Sequence, residues 1–332
     1  MKRQPMWRGA VSIALALWLS ACGGGATPPV PPDINLHQVR SAWISPGFRG
    51  AVSPLLFVSD AGTAEVYIYK LPALTVVATI TGFVQPQGEC SGPKGDVWVT
   101  DASSQTIFEL SHRGQLDNAL NDSRGFPEGC AWDPSTGNLA VTSLFGVGSS
   151  AGNLLVFAKS SYNPKVYGTR GQYYYNFAGY DGSGNLFFDG RGTGGNFMLS
   201  ELSKGASLPH ALAVKGGTIY FPGMVQWDAT NSELIVGDQS CGNAYVSCLY
   251  RLRIGAKSAT IVGHLDLKGY SGSPVCDMIQ GVVFNKQIAG SDNDFCGYTP
   301  STTYVWPYPG GGSPTQHNST TDSTPVGAAI SL

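Results

Sequence analysis

The sequence predicts an all-β fold: a six-bladed β-propeller of four-stranded antiparallel blades, its ring closed by the C-terminal strand. Three observations predict it. A strand–turn–strand pattern recurs along the chain, the composition suits short strands joined by tight turns, and no segment carries helical periodicity.

The recurring pattern is clearest in Pro86-Gln87-Gly88-Glu89-Cys90 leading to Val97-Trp98-Val99-Thr100-Asp101, and in Pro127-Glu128-Gly129-Cys130-Ala131-Trp132-Asp133 leading to Leu139-Ala140-Val141-Thr142-Ser143. Weaker copies run through Phe177–Asp189, Gly223–Asp238 and Gln280–Gly290, and Leu55–Asp60 matches only the second strand. Second-strand ends fall at Asp60, Asp101, Ser143, Asp189, Asp238 and Asp292, a spacing of roughly 40–55 residues, which is the length of one blade. These second strands are nearly continuous apolar runs, as strands packed on both faces must be. A third strand follows each one: Val66–Tyr69, Thr106–Phe108, Leu154–Phe157, Phe197–Leu199, Leu249–Leu252 and Thr303–Trp306. Fourth strands are less regular, the clearest being Thr75–Ile80. No Pro-x-Gly element precedes Leu55, whereas Pro325-Val326-Gly327-Ala328-Ala329-Ile330-Ser331 supplies one at the end of the chain. Pairing that tail with the N-terminal unit would remove an open sheet edge. A seven-bladed ring or an open β-sandwich is the alternative.

Composition agrees. The chain has 332 residues with 44 glycines, 11% aromatic and 13% charged residues, the charged share being about half the usual one. That aromatic content is too high for a disordered chain. A net charge of −2 with no basic stripe excludes a nucleic-acid surface.

The N-terminus has its own pattern. Lys2, Arg3 and Arg8 precede the apolar run Ala10–Leu19, which is too short to span a bilayer. Small residues and Cys22 follow, as in a signal peptide. Gly23–Gly25 and Thr27-Pro28-Pro29-Val30-Pro31-Pro32 read as a slack, extended tether. Leu19-Ser20-Ala21-Cys22 resembles the bacterial lipobox, which implies acylation of Cys22 and anchoring to the cell envelope. Gly23 after the cysteine, rather than Asp, implies the outer membrane where two membranes exist. The expected organisation is residues 1–21 signal peptide, 22–48 lipidated tether and 49–332 propeller.

Over roughly residues 50–332, the Pro-x-Gly strand, the Asp-Pro-x-x-Gly-Asn turn and the Leu-x-Val-(Thr/Ser) strand resemble NHL-type and YVTN-type propeller repeats. The chain is also similar to a group of exported bacterial propeller lipoproteins of no assigned activity. That resemblance implies architecture, not chemistry, because propellers host many activities.

With Cys22 assigned to lipid, Cys90, Cys130, Cys241, Cys248, Cys276 and Cys296 remain, an even number that favours disulfides in an exported chain. Cys90 and Cys130 lie on consecutive inner strands, where a bridge requires a shift of strand parity. Cys241 and Cys248 flank one hairpin, and Cys276 and Cys296 share the final blade. Several connectivities stay open. No Cys-x-x-Cys spacing or Cys/His cluster suggests a metal instead.

Catalytic signals are lacking. His37, His112, His210, His264 and His317 are scattered, and neither a Gly-x-Ser-x-Gly elbow nor a phosphate-binding glycine motif occurs. Asp133, Asp181 and Asp228 each follow an aromatic residue and open the same turn, so they read as turn residues before calcium ligands. Glu89, Glu128, Asn176, Gln226 and Asp277 lie on or beside inner strands and are the candidate channel-lining groups. Gluconolactonase-type propellers hold one divalent cation in such a channel, which implies a possible Ca2+ site at Glu128, Asn176 and Asp277. The diagnostic loops of that family are not recognisable here. Tyr173-Tyr174-Tyr175 reads either as blade packing or as an exposed aromatic contact, with Tyr173 and Tyr175 sharing one strand face.

The expected function is a monomeric, membrane-tethered, non-enzymatic binding or scaffold module for a protein or glycan. It needs no cofactor and touches the membrane through its lipid alone. A metal-dependent lactonase-like hydrolase is the alternative.

Overall fold

The computed structural model describes residues 54–159, 161–297 and 300–332. Cys22, the signal segment 1–21 and the tether 22–48 lie outside the described residues. Among the described residues no helix is long and apolar enough to cross a membrane.

The chain is all-β and propeller-like, built from four-stranded antiparallel ladders in chain order. The first sheet pairs Leu55–Asp60 with Glu65–Lys70, adds Thr75–Ile80, and takes the C-terminal Pro325–Ser331 on its other side. The second runs from Pro86–Ser91 to Leu116–Asn121 and the third from Gly125–Trp132 to Lys165–Tyr167. A fourth ladder starts at Gln172–Tyr180, a fifth at Pro222–Asp228 and a sixth at Gly281–Phe284. The fourth and fifth are not separate: their outer strands, His210–Lys215 and Ser258–Asp266, pair in parallel and merge them into one eight-stranded sheet. This corrects the expectation of six independent sheets. The cause lies in outer strands whose edge groups find a partner in the neighbouring ladder.

Second strands are buried along their whole length in the first, second and fifth ladders. Their side chains feed cores that lie between successive ladders. Trp98, Ile107 and Leu120 meet Leu139, Val141 and Phe157. Phe177, Phe187 and Leu199 meet Val225, Leu234 and Val236. Ile235 and Leu249 meet Ile288, Tyr304 and Trp306. Alternating apolar residues on both sides of a twisted sheet bury area at about 25 cal/mol per Å2, so each sheet depends on both neighbours.

Inner strands touch one another in the order Pro325–Ser331, Pro86–Ser91, Gly125–Trp132, Gln172–Tyr180, Pro222–Asp228, Gly281–Phe284, and the last of these contacts Pro325–Ser331 again. The glycine of the Pro-x-Gly motif explains how closely they approach. A Cβ at Gly88 would sit 2.5 Å from the Glu128 carbonyl oxygen, and one at Gly129 would sit 2.6 Å from that of Asn176. Only glycine lets two backbones pass this near. Hydroxyls from second strands tie the contact. Thr100 Oγ1 donates to the Glu128 carbonyl at 2.8 Å, Thr142 Oγ1 to that of Asn176 at 2.5 Å, and Ser59 Oγ to that of Gln87.

Candidate binding face

Gly88 meets Glu128 while Cys90 is bridged to Cys130, and Gly327 meets Gln87 while Ser91 Oγ donates to the Ile330 carbonyl, so these inner strands run side by side in one direction. Each second strand is antiparallel to its inner strand. The segments entering the inner strands and the turns leaving the second strands therefore gather at one end of the molecule. That end is the candidate binding face.

Its loops are held by carboxylates at the second-strand ends. Asp101 accepts the N–H groups of Val84 and Gln85 from the entering segment and of Ser104 from its own turn. Asp60 does the same for Ser323 and Thr324 on one side and Gly62 and Thr63 on the other. Asp238 takes Tyr220, Phe221 and Ser240, and Asp292 takes Cys276 and Asp294. Burial pushes the Asp292 carboxyl up to about 7 against those bonds. Burial also raises Asp238, with the N–H groups of Tyr220, Ser240 and Phe221 opposing it. The recurring aspartates were visible in the sequence as punctuation. Their role as clamps was not, because their partners lie 16–18 residues earlier in the second, fifth and sixth ladders and 263–264 residues later in the first.

Apolar side chains stand on these clamped loops: Val84, Tyr220, Tyr245 and Phe295 are all exposed, Phe295 to 63%. Two loops are pinned further by disulfides, Cys241–Cys248 and Cys276–Cys296, and Cys296 Sγ lies 3.3 Å from the Tyr245 carbonyl. The third bridge, Cys90–Cys130, joins inner strands of adjacent sheets. Both strands carry a ladder irregularity of one residue just before the cysteine, so the one-position offset between the two cysteines is kept and no relative shift of parity is needed.

Tyr173-Tyr174-Tyr175 divides between the two readings made of it. Tyr175 is packed, stacked on Phe188, its hydroxyl accepting the Thr169 N–H. Tyr173 and Tyr174 are half-buried with their rings 4.9 Å apart, edge to face. Simple alternation, which placed Tyr173 with Tyr175, fails because the ladder shifts on both sides of Tyr174 and Tyr175. Arg191 lies over Tyr174 at 4.7 Å and over Phe221 at 4.6 Å. Sequence reasoning missed it, since its two rings come from a strand residue 17 positions before it and a loop residue 30 positions after it.

The candidate channel-lining residues separate. Glu128 is half-buried, with burial raising its carboxyl to about 7. Asn176 is buried and its Oδ1 has no hydrogen-bond partner. Glu89 is 1% exposed, and its Cγ lies 3.0 Å from where a Cβ of Gly327 would be, so it points between the first two sheets. A ladder irregularity falls between Pro86 and Glu89, immediately before this side chain. Neither Glu89 oxygen has a partner in bonding geometry, and burial raises its carboxyl well above the ordinary range, with the Ala329 amide opposing. Gln226 is spent on structure: its amide donates to the Val283 carbonyl and accepts the Val283 N–H. Asp277 has φ +74° and accepts from Asn293 Nδ2.

Asp133, Asp181 and Asp228 are turn residues. Each accepts the N–H two residues on, from Ser135, Ser183 and Thr230, and a second bond from Thr136, Asn185 or Asn231. Burial works against the charge of Asp133 and Asp228, but hydrogen bonds prevail, that from Thr136 first for Asp133 and that from the Tyr308 hydroxyl first for Asp228, and hold both carboxyls below the ordinary value. Among the described residues, Cys241, Cys248 and His264 alone form a group of three His, Cys, Asp or Glu with ligand atoms within 4.8 Å of one another. The sequence showed no Cys/His cluster because His264 arrives from the next strand, opposite Tyr250. Two of these three groups are consumed by a disulfide.

No protein-family model matches the chain. No curated protein matches it either. Solved structures do. The nidogen/laminin complex gives a TM-score of 0.63 at 14% identity, over 84% of this chain and 99% of that one. A protein of unknown function from Bacteroides caccae gives 0.59 at 13% identity, over 84% and 99%. Hydrazine synthase of Kuenenia stuttgartiensis gives 0.56 at 12% identity, over 76% and 73%. At these identities the likeness is one of fold: the chain is similar to propeller-like all-β proteins.

Proposed function

We propose that this chain is a lipid-tethered, extracytoplasmic six-bladed propeller that works as a binding or scaffold module for a protein or glycan. The observation that carries the reading is the clamped face, where carboxylates and disulfides hold short loops rigid while aromatic side chains project outward. Rigid loops lose little entropy on binding, which favours recognition. The circuit of inner-strand contacts and the pairing of Pro325–Ser331 with Leu55–Asp60 support the closed six-bladed ring. The lipobox-like Leu19–Cys22 and the glycine- and proline-rich stretch behind it support the tether.

The test uses cells expressing the full chain. Cys22→Ala is expected to abolish palmitate incorporation and release the protein from the membrane fraction. Capture from envelope extracts on the anchored protein is expected to fall when Tyr245 and Phe295 are both changed to Ser. Retained palmitate in the first variant, or undiminished capture in the second, would overturn the corresponding half of the reading.

The hydrolase alternative rests on Glu128, Asn176 and Asp277. The unpartnered Asn176 Oδ1 speaks for it, and the commitment of Gln226 to Val283 leaves the candidate set one oxygen poorer. Calcium-dependent thermal stabilisation that disappears in Glu128→Ala and Asp277→Ala would favour it.

A further inference from the structure

Arg191 is held in an unusual way. Its guanidinium lies over two aromatic rings, Tyr174 at 4.7 Å and Phe221 at 4.6 Å, which hold it by cation–π contact and leave its terminal N–H groups for a ligand. Its Nε is buried without a hydrogen-bond partner, and among the described residues no carboxylate forms an ion pair with it. The side chain is placed by backbone that admits no variation: a Cβ on the preceding Gly190 would collide with the Tyr174 carbonyl oxygen. A cation fixed in orientation, partly desolvated and lacking a counter-ion is preorganised for an external anion.

The surroundings narrow the ligand. A fork of coplanar donors matches a carboxylate in two parallel bonds. Beyond Tyr174 the row continues with the half-buried Tyr173, whose hydroxyl is fixed to the Ser149 carbonyl at 2.6 Å. The turn after Arg191 is Gly192-Thr193-Gly194-Gly195-Asn196, with no bulky side chain to obstruct an extended molecule. Tyrosine rings beside small and polar residues form a platform for the C–H face of a sugar, whereas side-chain recognition of a peptide calls for pockets. We infer that Arg191, with Tyr173 and Tyr174, forms a subsite for a uronic acid residue of an acidic glycan, the carboxylate on the guanidinium and the sugar ring on tyrosine. This rests on the binding-module reading and names its ligand class.

The experiment is calorimetric titration of the full chain with tri-galacturonic acid, the corresponding neutral trisaccharide and triglutamate. Tri-galacturonic acid is expected to bind at least tenfold tighter than either comparator. Arg191→Lys, which keeps the charge but loses the fork, is expected to weaken it about tenfold or more at unchanged melting temperature. Tyr173→Ala is expected to weaken it roughly three- to tenfold. Equal affinity for the neutral trisaccharide, tighter binding of triglutamate, or an unaffected Arg191→Lys protein would overturn the inference. The comparison of ligands on the unaltered chain decides even if a variant fails to fold. Absent uronate binding with envelope capture intact would overturn this inference alone. Loss of both would also remove the binding-module reading.

Discussion

The first three ladders and the last three reach the same inner-strand contact by different means. In the first three, a second-strand hydroxyl (Ser59, Thr100, Thr142) donates to a carbonyl of the next inner strand, opposite the glycine of a Pro-x-Gly motif at Gly88 and Gly129. In the fifth and sixth ladders, side-chain amides do the work. Gln226 bonds both backbone groups of Val283, and Gln280 bonds the N–H and carbonyl of Glu89 and reaches Ala328. The fourth ladder substitutes a carboxylate: Asp189 accepts the N–H groups of Phe177 and Gly223. A blade contact thus needs close backbones with satisfied polar groups, and different residue types provide this.

The largest expected effect breaks the contact in the motif-bearing half. Gly129→Ala places a methyl against backbone rather than a movable side chain, and should cost about 3 kcal/mol, read as a lowered urea midpoint at unchanged slope. A smaller effect sharpens the comparison. Gln280→Ala orphans backbone groups of both Glu89 and Ala328 and should cost about 2 kcal/mol, whereas Thr100→Val removes one donor and should cost about 1 kcal/mol. Equal losses in chemical denaturation would mean that the two devices are not energetically distinct.

The smallest effect concerns Glu128, whose pKa burial raises to about 7. A carboxyl raised on folding binds more protons in the native state, so stability falls as pH rises from the unfolded value near 4.5 through the folded value near 7. Below that window the group costs nothing. Glu128→Gln should therefore leave the melting temperature unchanged at pH 4. At pH 8 it should raise stability by on the order of 1 kcal/mol, a figure discounted for partial exposure. A pH-independent difference between the proteins would contradict the assignment.

Legibility follows the same divide. Pro86–Asp101 and Pro127–Ser143 announce their blades because glycine and proline are required there for backbone reasons, which local sequence records. The last ladder was faint because Gln280 is a single unremarkable side chain whose partner is 191 residues away. Among site residues, Glu128 is half-buried and Asn176 is buried on the inner strands where the repeat was read. A ladder irregularity precedes Glu89, and such a shift leaves no trace in composition. Arg191 carried no local signal.

By itself the sequence determined the all-β class, the strand order within each ladder, the turns at Asp133, Asp181 and Asp228, and the composition of the apolar second strands. These are matters of nearest-neighbour sterics and burial period, which adjacent residues encode. Tertiary structure alone decided that the fourth and fifth ladders merge, that terminal aspartates clamp loops from distant segments, and that Arg191 meets both Tyr174 and Phe221. Each depends on which surfaces meet once sheets stack, and that is set by packing between elements rather than by any element's own residues.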